Sequence, residues 1–256
     1  MPDATPSLTV VTFLWQGWRP GIYKPVHVEA LRLMFERYLT IAHRFVCITD
    51  QPSKLPNCDT LPLWREGHVA RPPEAMNSYR RLRLFDPAMR DVIGTDWILQ
   101  VDIDTLVCDY LDPLITWDDL RMVQGTMAPY NGSMWLHRLG SRPDLWHEFN
   151  PRRSPWEVQA YHNDCDRRAA ESADGSKAQQ YRGSDQAWIG YMRPNEPVWT
   201  AADGVYRVGK KRRREPVPDD ARILFFPGVP KPWTYGKTKF HQSVLRRYRS
   251  FLQRAM

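Results

Sequence analysis

The chain has 256 residues and a mass of 30.1 kDa, and 42% of its residues are hydrophobic while 25% are charged. This balance excludes a mainly disordered chain and predicts a globular protein of one domain with a sizeable core. The 36 Lys and Arg outnumber the 29 Asp and Glu, and the resulting net charge of +7 permits an anionic partner without identifying it.

The cysteines and the N-terminal residues predict a cytoplasmic protein. Cys47, Cys58, Cys108 and Cys165 lack the C-x-x-C spacing of common zinc sites, so we expect reduced thiols rather than a disulfide scaffold. Residues 1–7 carry no basic segment, and no apolar run approaches the roughly 18 residues that cross a bilayer. We therefore expect no transmembrane segment.

The N-terminal segment alternates between strand and helix patterns. Residues 8–15 form a short apolar run rich in β-branched side chains, which predicts a buried strand. Apolar residues recur at three- and four-residue spacing after Pro25 and predict a helix, and residues 44–49 predict a second strand. This order favours a parallel α/β sheet with a binding crevice at the carboxyl ends of its strands.

Prolines interrupt the middle of the chain before the pattern resumes. Residues 51–73 contain five prolines and predict a long surface loop with at most one short strand. We predict a helix over 79–92, interrupted or bent at Asp86-Pro87 because proline disfavours helical geometry in the residue before it. Residues 97–101 predict another buried strand, which runs directly into Asp102-Ile103-Asp104.

The later elements are short, and one long polar region gives no clear pattern. We predict strands at 121–124, 133–137 and 222–226, a short helix at 184–191 and a terminal helix at 239–254, with no assignment for 151–182.

Positive charge is concentrated near the C-terminus. Residues 206–256 hold 14 Lys and Arg against 3 Asp and Glu, a net +11, so the remaining residues carry 7 − 11 = −4. The densest run is either a solvated loop or a binding surface for a polyanion, such as DNA or an anionic membrane that carries a lipid acceptor. This run consists of Lys210, Lys211, Arg212, Arg213 and Arg214.

Asp102 and Asp104 are the first candidates for chemistry. Two carboxylates one residue apart in a tight bend can both bind a hard divalent cation such as Mn²⁺ or Mg²⁺. A second D-x-D pattern at 164–166 lies in a polar region, whereas the first follows a buried strand. The alternative interpretation is that both acids are turn or cap residues.

The stretch at 97–114, WILQVDIDTLVCDYLDPL, closely resembles a signature of the GT-A glycosyltransferases, in particular the retaining family 8 (glycogenin- and galactosyltransferase-like) and its bacterial or phage relatives. Four further segments resemble motifs of that family in the same order, and the resemblance as a whole covers about residues 8–233. The four are SYRRLRLF (78–85), YNGSMWL (130–136), GSDQA (183–187) and FPGVPKPW (226–233).

The resemblance implies a fold and a division of the chain. The fold would be α/β, of the Rossmann-like GT-A type, with a mixed but mainly parallel sheet flanked by helices in a single domain. Residues 1–236 would form the glycosyltransferase domain, and residues 237–256 would form a basic helix packed on or beside it.

The resemblance also implies an activity. It is the metal-dependent transfer of a sugar from a nucleotide-diphosphate sugar, with a UDP-sugar favoured, to an acceptor hydroxyl with retention of configuration. The acceptor stays open between a saccharide, a lipid and a polyanion such as modified DNA. A catalytically degenerate GT-A-like protein that binds carbohydrate or nucleic acid is the alternative hypothesis.

The resemblance carries over to individual residues as follows. Asp102 and Asp104 would bind the Mn²⁺ or Mg²⁺ ion. Asn131, Asp185 and Gln186 would surround the transferred sugar and the acceptor hydroxyl. The donor would be bound by Thr12, Leu14, Trp15, Arg83, Asp102, Ile103, Gly228, Lys231 and Trp233.

The chain departs from the family pattern at one metal ligand. Family members provide a histidine just before the GxxKPW element, where this chain has Phe225, Phe226 and Pro227. Diphosphate oxygens and water can complete a six-coordinate shell around two carboxylates. His241 is the alternative third ligand.

Overall fold

The computed structural model describes residues 7–15, 21–69, 78–125, 129–171, 184–209, 216–228, 231–234 and 239–256. For 165–171, Lys239 and His241 it describes the backbone alone.

A seven-stranded sheet forms the centre of the molecule, and a three-stranded sheet lies beside it. The strands of the large sheet are β1 (Leu8–Leu14), β2 (His43–Thr49), β3 (Asp59–Pro62), β4 (Trp97–Val101), β6 (Leu120–Gln124), β7 (Tyr130–Arg138) and β8 (Val198–Trp199). Those of the small sheet are β5 (Thr105–Val107), β9 (Val205–Arg207) and β10 (Ile223–Phe225).

The helices cover both faces of the large sheet. The α-helices are α1 (Pro25–Tyr38), α2 (Met89–Ile93), α3 (Asp144–His147), α4 (Ser154–Glu171), α5 (Asp185–Met192) and α6 (Lys239–Ala255), and the longest 3₁₀ helix is Ser78–Phe85. None of these helices, in the part of the chain that is described, is both long enough and apolar enough to cross a membrane.

The strand order creates a crevice between β1 and β4. The large sheet runs β3-β2-β1-β4-β7-β6-β8, and β1 pairs in parallel with both β2 and β4. The chain therefore winds outward from β1 in two directions, and the carboxyl ends of β1 and β4 flank the gap where ligands bind in open α/β sheets. The hydroxyl of Thr12 on β1 donates to the Val101 carbonyl on β4 at 2.8 Å and fixes this edge.

One face of the sheet is covered by α1 and α6. The side chains of Val28, Leu31 and Phe35 on α1 are fully buried, and Tyr248 and Phe251 of α6 are buried in the same core. Each such side chain contributes about 1.5–3 kcal/mol of hydrophobic stabilisation. The basic terminal helix is thus packed against the sheet's first helix.

The other face holds the 3₁₀ helix in place over β7. His137 of β7 is fully buried, its Nε2 lies 3.0 Å from the Leu84 carbonyl, and its ring stacks on Phe85 at 4.4 Å. Burial lowers the pKa of His137 to about 3, so the ring is neutral and its Nε2–H donates to the carbonyl. These contacts fix the 3₁₀ helix that carries Arg81.

The predicted fold class is confirmed. The sheet is mixed, with four parallel and two antiparallel pairings among its seven strands, and helices flank it. The segment predicted as a helix over 79–92 is a 3₁₀ helix followed by α2, with the break at Pro87, which has no N–H to donate. Part of the unassigned region 151–182 is helix α4.

Candidate active site

The bend after β4 is fixed by backbone and side-chain hydrogen bonds. The Asp102 N–H donates to the Ser133 carbonyl of β7 at 2.8 Å, and the Thr105 hydroxyl donates to the Asp102 carbonyl at 2.7 Å. The Phe226 N–H donates to the Asp104 carbonyl at 3.2 Å, which ties the bend to the end of β10. The two carboxylates of the D-x-D pattern are therefore held at the carboxyl end of β4, as the sequence predicts.

Asp104 is buried and bound by two donors. Its Oδ2 accepts from the Tyr23 hydroxyl at 3.0 Å and forms an ion pair with Lys231 Nζ. Lys231 is also buried, and its Nζ donates to the Phe226 carbonyl at 3.1 Å. Burial and the neighbouring Asp102 raise the pKa of the Asp104 carboxyl, while Lys231 acts in the opposite direction.

Arg81 joins the two ends of the site. Its guanidinium forms an ion pair with Asp102, and its Nε lies 2.6 Å from Asp185 Oδ2. It also donates to the Gly132 carbonyl at 3.1 Å and lies 5.1 Å over the Trp135 ring. Burial alone would lower the pKa of Arg81, but Asp185 and Asp102 hold it above its ordinary value, so the side chain is always charged.

The start of β7 and the start of α5 are locked to each other beside Arg81. Gln186 Oε1 accepts from the Gly132 N–H at 2.7 Å, and a β-carbon at Gly132 would lie 3.2 Å from both Arg81 and Gln186. Asn131 Oδ1 accepts from the Ser133 N–H at 2.9 Å. Asp185 is only 1% exposed, and this burial raises the pKa of its carboxyl in spite of Arg81.

The antiparallel pairing of β7 with β4 explains why these residues meet. Val101, the last residue of β4, pairs with Met134, so the first residues of β7 lie at the carboxyl end of β4. This pairing brings Asn131 to the crevice although it is distant in sequence from Asp102. Asp185 lies there too, because its neighbour Gln186 binds the Gly132 N–H of β7. The structure thus places the residues predicted for the sugar next to one of the residues predicted for the metal.

Most of the other predicted donor residues lie around the same crevice. Leu14 is buried at the end of β1, Trp15 follows it half-buried, and Ile103 is buried within the bend. Gly228 has φ +76°, a left-handed conformation that favours glycine, and among the described residues no atom beyond its chain neighbours lies within 4 Å of the position of a β-carbon. The Trp233 ring stacks on His27, 3.7 Å away.

Arg83 lies apart from the carboxylates. Its guanidinium forms an ion pair with Glu66 at 2.8 Å and lies 5.4 Å over the Trp64 ring. Arg83 therefore pairs with Glu66, whereas Asp102 and Asp185 are bound by Arg81. Two further predictions, the basic run Lys210 to Arg214 and the side chain of His241, fall outside the described part of the structure.

Sequence reasoning selected Arg83 instead of Arg81 from the 3₁₀ helix, and it missed Tyr23. Arg81 lies in the SYRRLRLF segment (78–85), so a motif that resembles the family already contained this residue. In a 3₁₀ helix, residues three apart share a face, which places Arg80 with Arg83 and Arg81 with the buried Leu84. Tyr23 precedes α1 and belongs to none of the five motifs.

The donor set fits a hard divalent cation. Three carboxylates (Asp102, Asp104 and Asp185) face two basic side chains (Arg81 and Lys231), so this group carries one excess negative charge. Among the described side chains, no group of three or more His, Cys, Asp or Glu could hold a metal ion. Phe225 and Phe226, which lie in the segment where the family has its histidine, are both buried. The chain thus offers two oxygen ligands, and a bound diphosphate and water would supply the others.

The fold matches those of solved glycosyltransferases, although no family model and no curated sequence matches the chain. The structure of the galactosyltransferase LgtC with donor and acceptor sugar analogs aligns with TM-score 0.62 and 13% identity over 96% of this chain and 95% of that one. GlyE from Streptococcus pneumoniae TIGR4 aligns with TM-score 0.56 and 10% identity over 98% of this chain. The chain spans 63% of GlyE. At these identities the likeness establishes the GT-A fold.

Proposed function

We propose that this protein is a metal-dependent glycosyltransferase that moves a sugar from a nucleotide-diphosphate sugar to an acceptor hydroxyl with retention of configuration. The observation that carries the proposal is the assembly of Asp102, Asp104, Asp185 and Lys231 at the ligand-binding crevice of a GT-A fold. The five ordered motifs supply the donor class, for which we favour a UDP-sugar. Retention of configuration rests on the family resemblance.

The crevice suits a nucleotide diphosphate. The carboxyl end of β1, with Thr12, Leu14 and Trp15, would line the nucleoside. Lys231 would approach a diphosphate oxygen and stabilise the charge that the leaving group gains in the transition state. Mn²⁺ or Mg²⁺ held by Asp102 and Asp104 would add neutralisation of the diphosphate when bound.

The other end of the crevice suits the transferred sugar. Bond breaking at the anomeric carbon leaves an oxocarbenium-like sugar, whose positive charge a buried carboxylate such as Asp185 can stabilise. Arg81 keeps this carboxylate oriented through the 2.6 Å ion pair. Gln186 and Asn131, both fixed to the β7 backbone, would position the sugar and the acceptor hydroxyl.

A screen of nucleotide sugars tests the proposal. We expect at least one donor to be hydrolysed in the presence of Mn²⁺ or Mg²⁺, and we expect Asp102→Ala to lower that rate by about 10²-fold or more because it removes a diphosphate-site carboxylate. Asp118→Ala is the matched control, since Asp118 pairs with Arg121 at 2.5 Å instead. If no donor is bound or hydrolysed, the degenerate binding module becomes the better interpretation.

The acceptor is the open part of the proposal, and the basic C-terminal residues suit a polyanion such as modified DNA as well as an anionic membrane that carries a lipid acceptor. Helix α6 contains no Asp or Glu, and its exposed face carries Arg246, Arg247, Arg249 and Arg254. Such a surface attracts phosphates without sequence preference.

Salt-dependent binding tests the polyanion hypothesis. We expect Arg246→Gln with Arg249→Gln to weaken DNA binding while donor hydrolysis stays unchanged. The slope of log affinity against log salt concentration should become shallower by about 0.9 for each phosphate that the protein no longer neutralises. A second variant that replaces residues 210–214 by Gln probes the basic run in the same way. Finding no DNA association even at low salt would leave a saccharide or lipid acceptor.

The thiols support a cytoplasmic location, which we propose from the sequence. Cys47, Cys58 and Cys108 are free in the structure. Burial raises the pKa of Cys108 to about 11, so this thiol stays protonated at neutral pH.

A further inference from the structure

The Lys231 ammonium has two possible partners, the Asp104 carboxylate and the donor diphosphate. In the proposed reaction it approaches the donor diphosphate, yet in the structure the ammonium is paired with Asp104. Asp104 is also one of the two carboxylates proposed to hold the cation. A divalent cation held by this carboxylate would therefore share a buried ligand with the lysine ammonium, and two positive charges beside one carboxylate repel each other.

Hydrogen bonds and ring contacts hold the backbone around Lys231 in place. The Lys231 N–H donates to the Thr234 hydroxyl at 3.2 Å, and the Thr234 N–H donates back to the Lys231 carbonyl at 2.9 Å. Trp233 stacks on His27 of α1 and meets the Tyr23 ring edge-on at 5.8 Å. The segment is thereby clamped to the start of α1.

Tyr23 binds both members of the pair. Its hydroxyl donates to Asp104 at 3.0 Å, and Lys231 Nζ lies 5.3 Å from the centre of its ring. Burial and the nearby Asp104 raise the pKa of Tyr23, so the phenol stays protonated and remains a donor to the carboxylate. Tyr23 and Lys231 therefore both bind the Asp104 carboxylate.

We infer that Lys231 acts as the counterion of Asp104 in the nucleotide-free protein, and that a divalent cation binds there only by displacing the ammonium, which then becomes available to the donor diphosphate. The inference rests on the proposed function, because it assumes the cation and diphosphate sites described above. It makes Lys231 a residue that sets cation affinity as well as one that binds the donor. Cation alone should bind weakly, and removal of the lysine should strengthen that binding.

Manganese titration of the nucleotide-free protein, followed by electron paramagnetic resonance of the free ion, tests the inference. We expect Lys231→Met to bind Mn²⁺ at least about tenfold more tightly than the unmodified protein, because one competing positive charge is removed. Lys54→Met is the matched control, since Lys54 lies on the surface and binds Gln51, and its affinity should equal that of the unmodified protein. Equal or weaker Mn²⁺ binding in Lys231→Met, or no binding in either protein, overturns the inference.

A second measurement on the unmodified protein covers the case in which Lys231→Met does not fold. Acylation of lysines read by mass spectrometry should show Lys231 labelled severalfold faster once Mn²⁺ saturates the site, with Lys54 as the internal reference. An unchanged Lys231 rate overturns the inference. Neither readout uses a nucleotide sugar, so a failed donor screen and a failed exchange of Lys231 give separate results.

Discussion

Replacement of Arg81 by methionine is expected to abolish donor turnover and to lower the free energy of unfolding by about 3–5 kcal/mol. The substitution leaves the buried carboxylate of Asp185 without its counterion and releases Asp102 and the Gly132 carbonyl. Most of the destabilisation comes from Asp185, because the Asp102 side chain is 32% exposed and solvent screens its pair. Urea unfolding and donor hydrolysis measure the two effects.

Two further variants separate charge from geometry. Arg81→Lys keeps the charge, but one ammonium cannot replace a guanidinium fork between two carboxylates, so we expect a folded protein whose kcat/KM is reduced by about 10²-fold. Arg83→Met, on the same 3₁₀ helix, should cost at most about 1 kcal/mol because its pair with Glu66 is largely exposed. A raised KM for the donor in Arg83→Met would instead support the donor contact predicted from sequence. Near-normal turnover in Arg81→Lys would contradict a positioning role for the guanidinium.

The second large effect is expected at Asp185. Asp185→Asn preserves shape but removes the buried negative charge beside the proposed sugar position, and we expect kcat to fall by about 10²–10³-fold. Binding of UDP should change by no more than about twofold. Asp185 pairs with Arg81, whereas the residue proposed to approach the diphosphate is Lys231, which pairs with Asp104 instead. Steady-state kinetics and calorimetric titration of UDP separate these quantities.

Asp144→Asn serves as the control for this substitution. Asp144 begins α3 and pairs with Arg193 at 2.8 Å, so its replacement removes an aspartate–arginine pair, more exposed than Asp185–Arg81, without touching the crevice. Its donor turnover should stay near normal. A selective decrease of UDP affinity in Asp185→Asn, with kcat preserved, would move Asp185 from the sugar to the diphosphate.

Much of the fold could be predicted from the sequence because the central strands are buried on both faces. Continuous apolar runs of strand length indicated β1 and β4, and the observed β4, Trp97–Val101, coincides with the predicted strand. The amphipathic periods of α1 and α6 likewise indicated their buried faces. The three-residue strands β5 and β9 of the small sheet and the two-residue strand β8 of the large sheet were not predicted as separate elements, because such short segments carry no measurable period.

Side-chain partnerships were much harder to predict than the elements that carry them. The D-x-D pattern and the Asp185-Gln186 pair could be placed at one crevice through their motifs. The sequence did not reveal that Lys231 pairs with Asp104 across 127 positions or that Tyr23 donates to the same carboxylate. Such contacts depend on how α1, β4 and the segment after β10 pack, which no local pattern encodes.

By itself, then, the sequence determined the GT-A fold and the residue types that gather at the carboxyl ends of β1 and β4. Only the tertiary structure decided that Arg81 pairs with both Asp102 and Asp185, and that Lys231 pairs with Asp104. The physical reason is that hydrophobic burial is a property of each segment's own composition. An ion pair, in contrast, depends on the position and orientation of two groups that only the packed chain brings together.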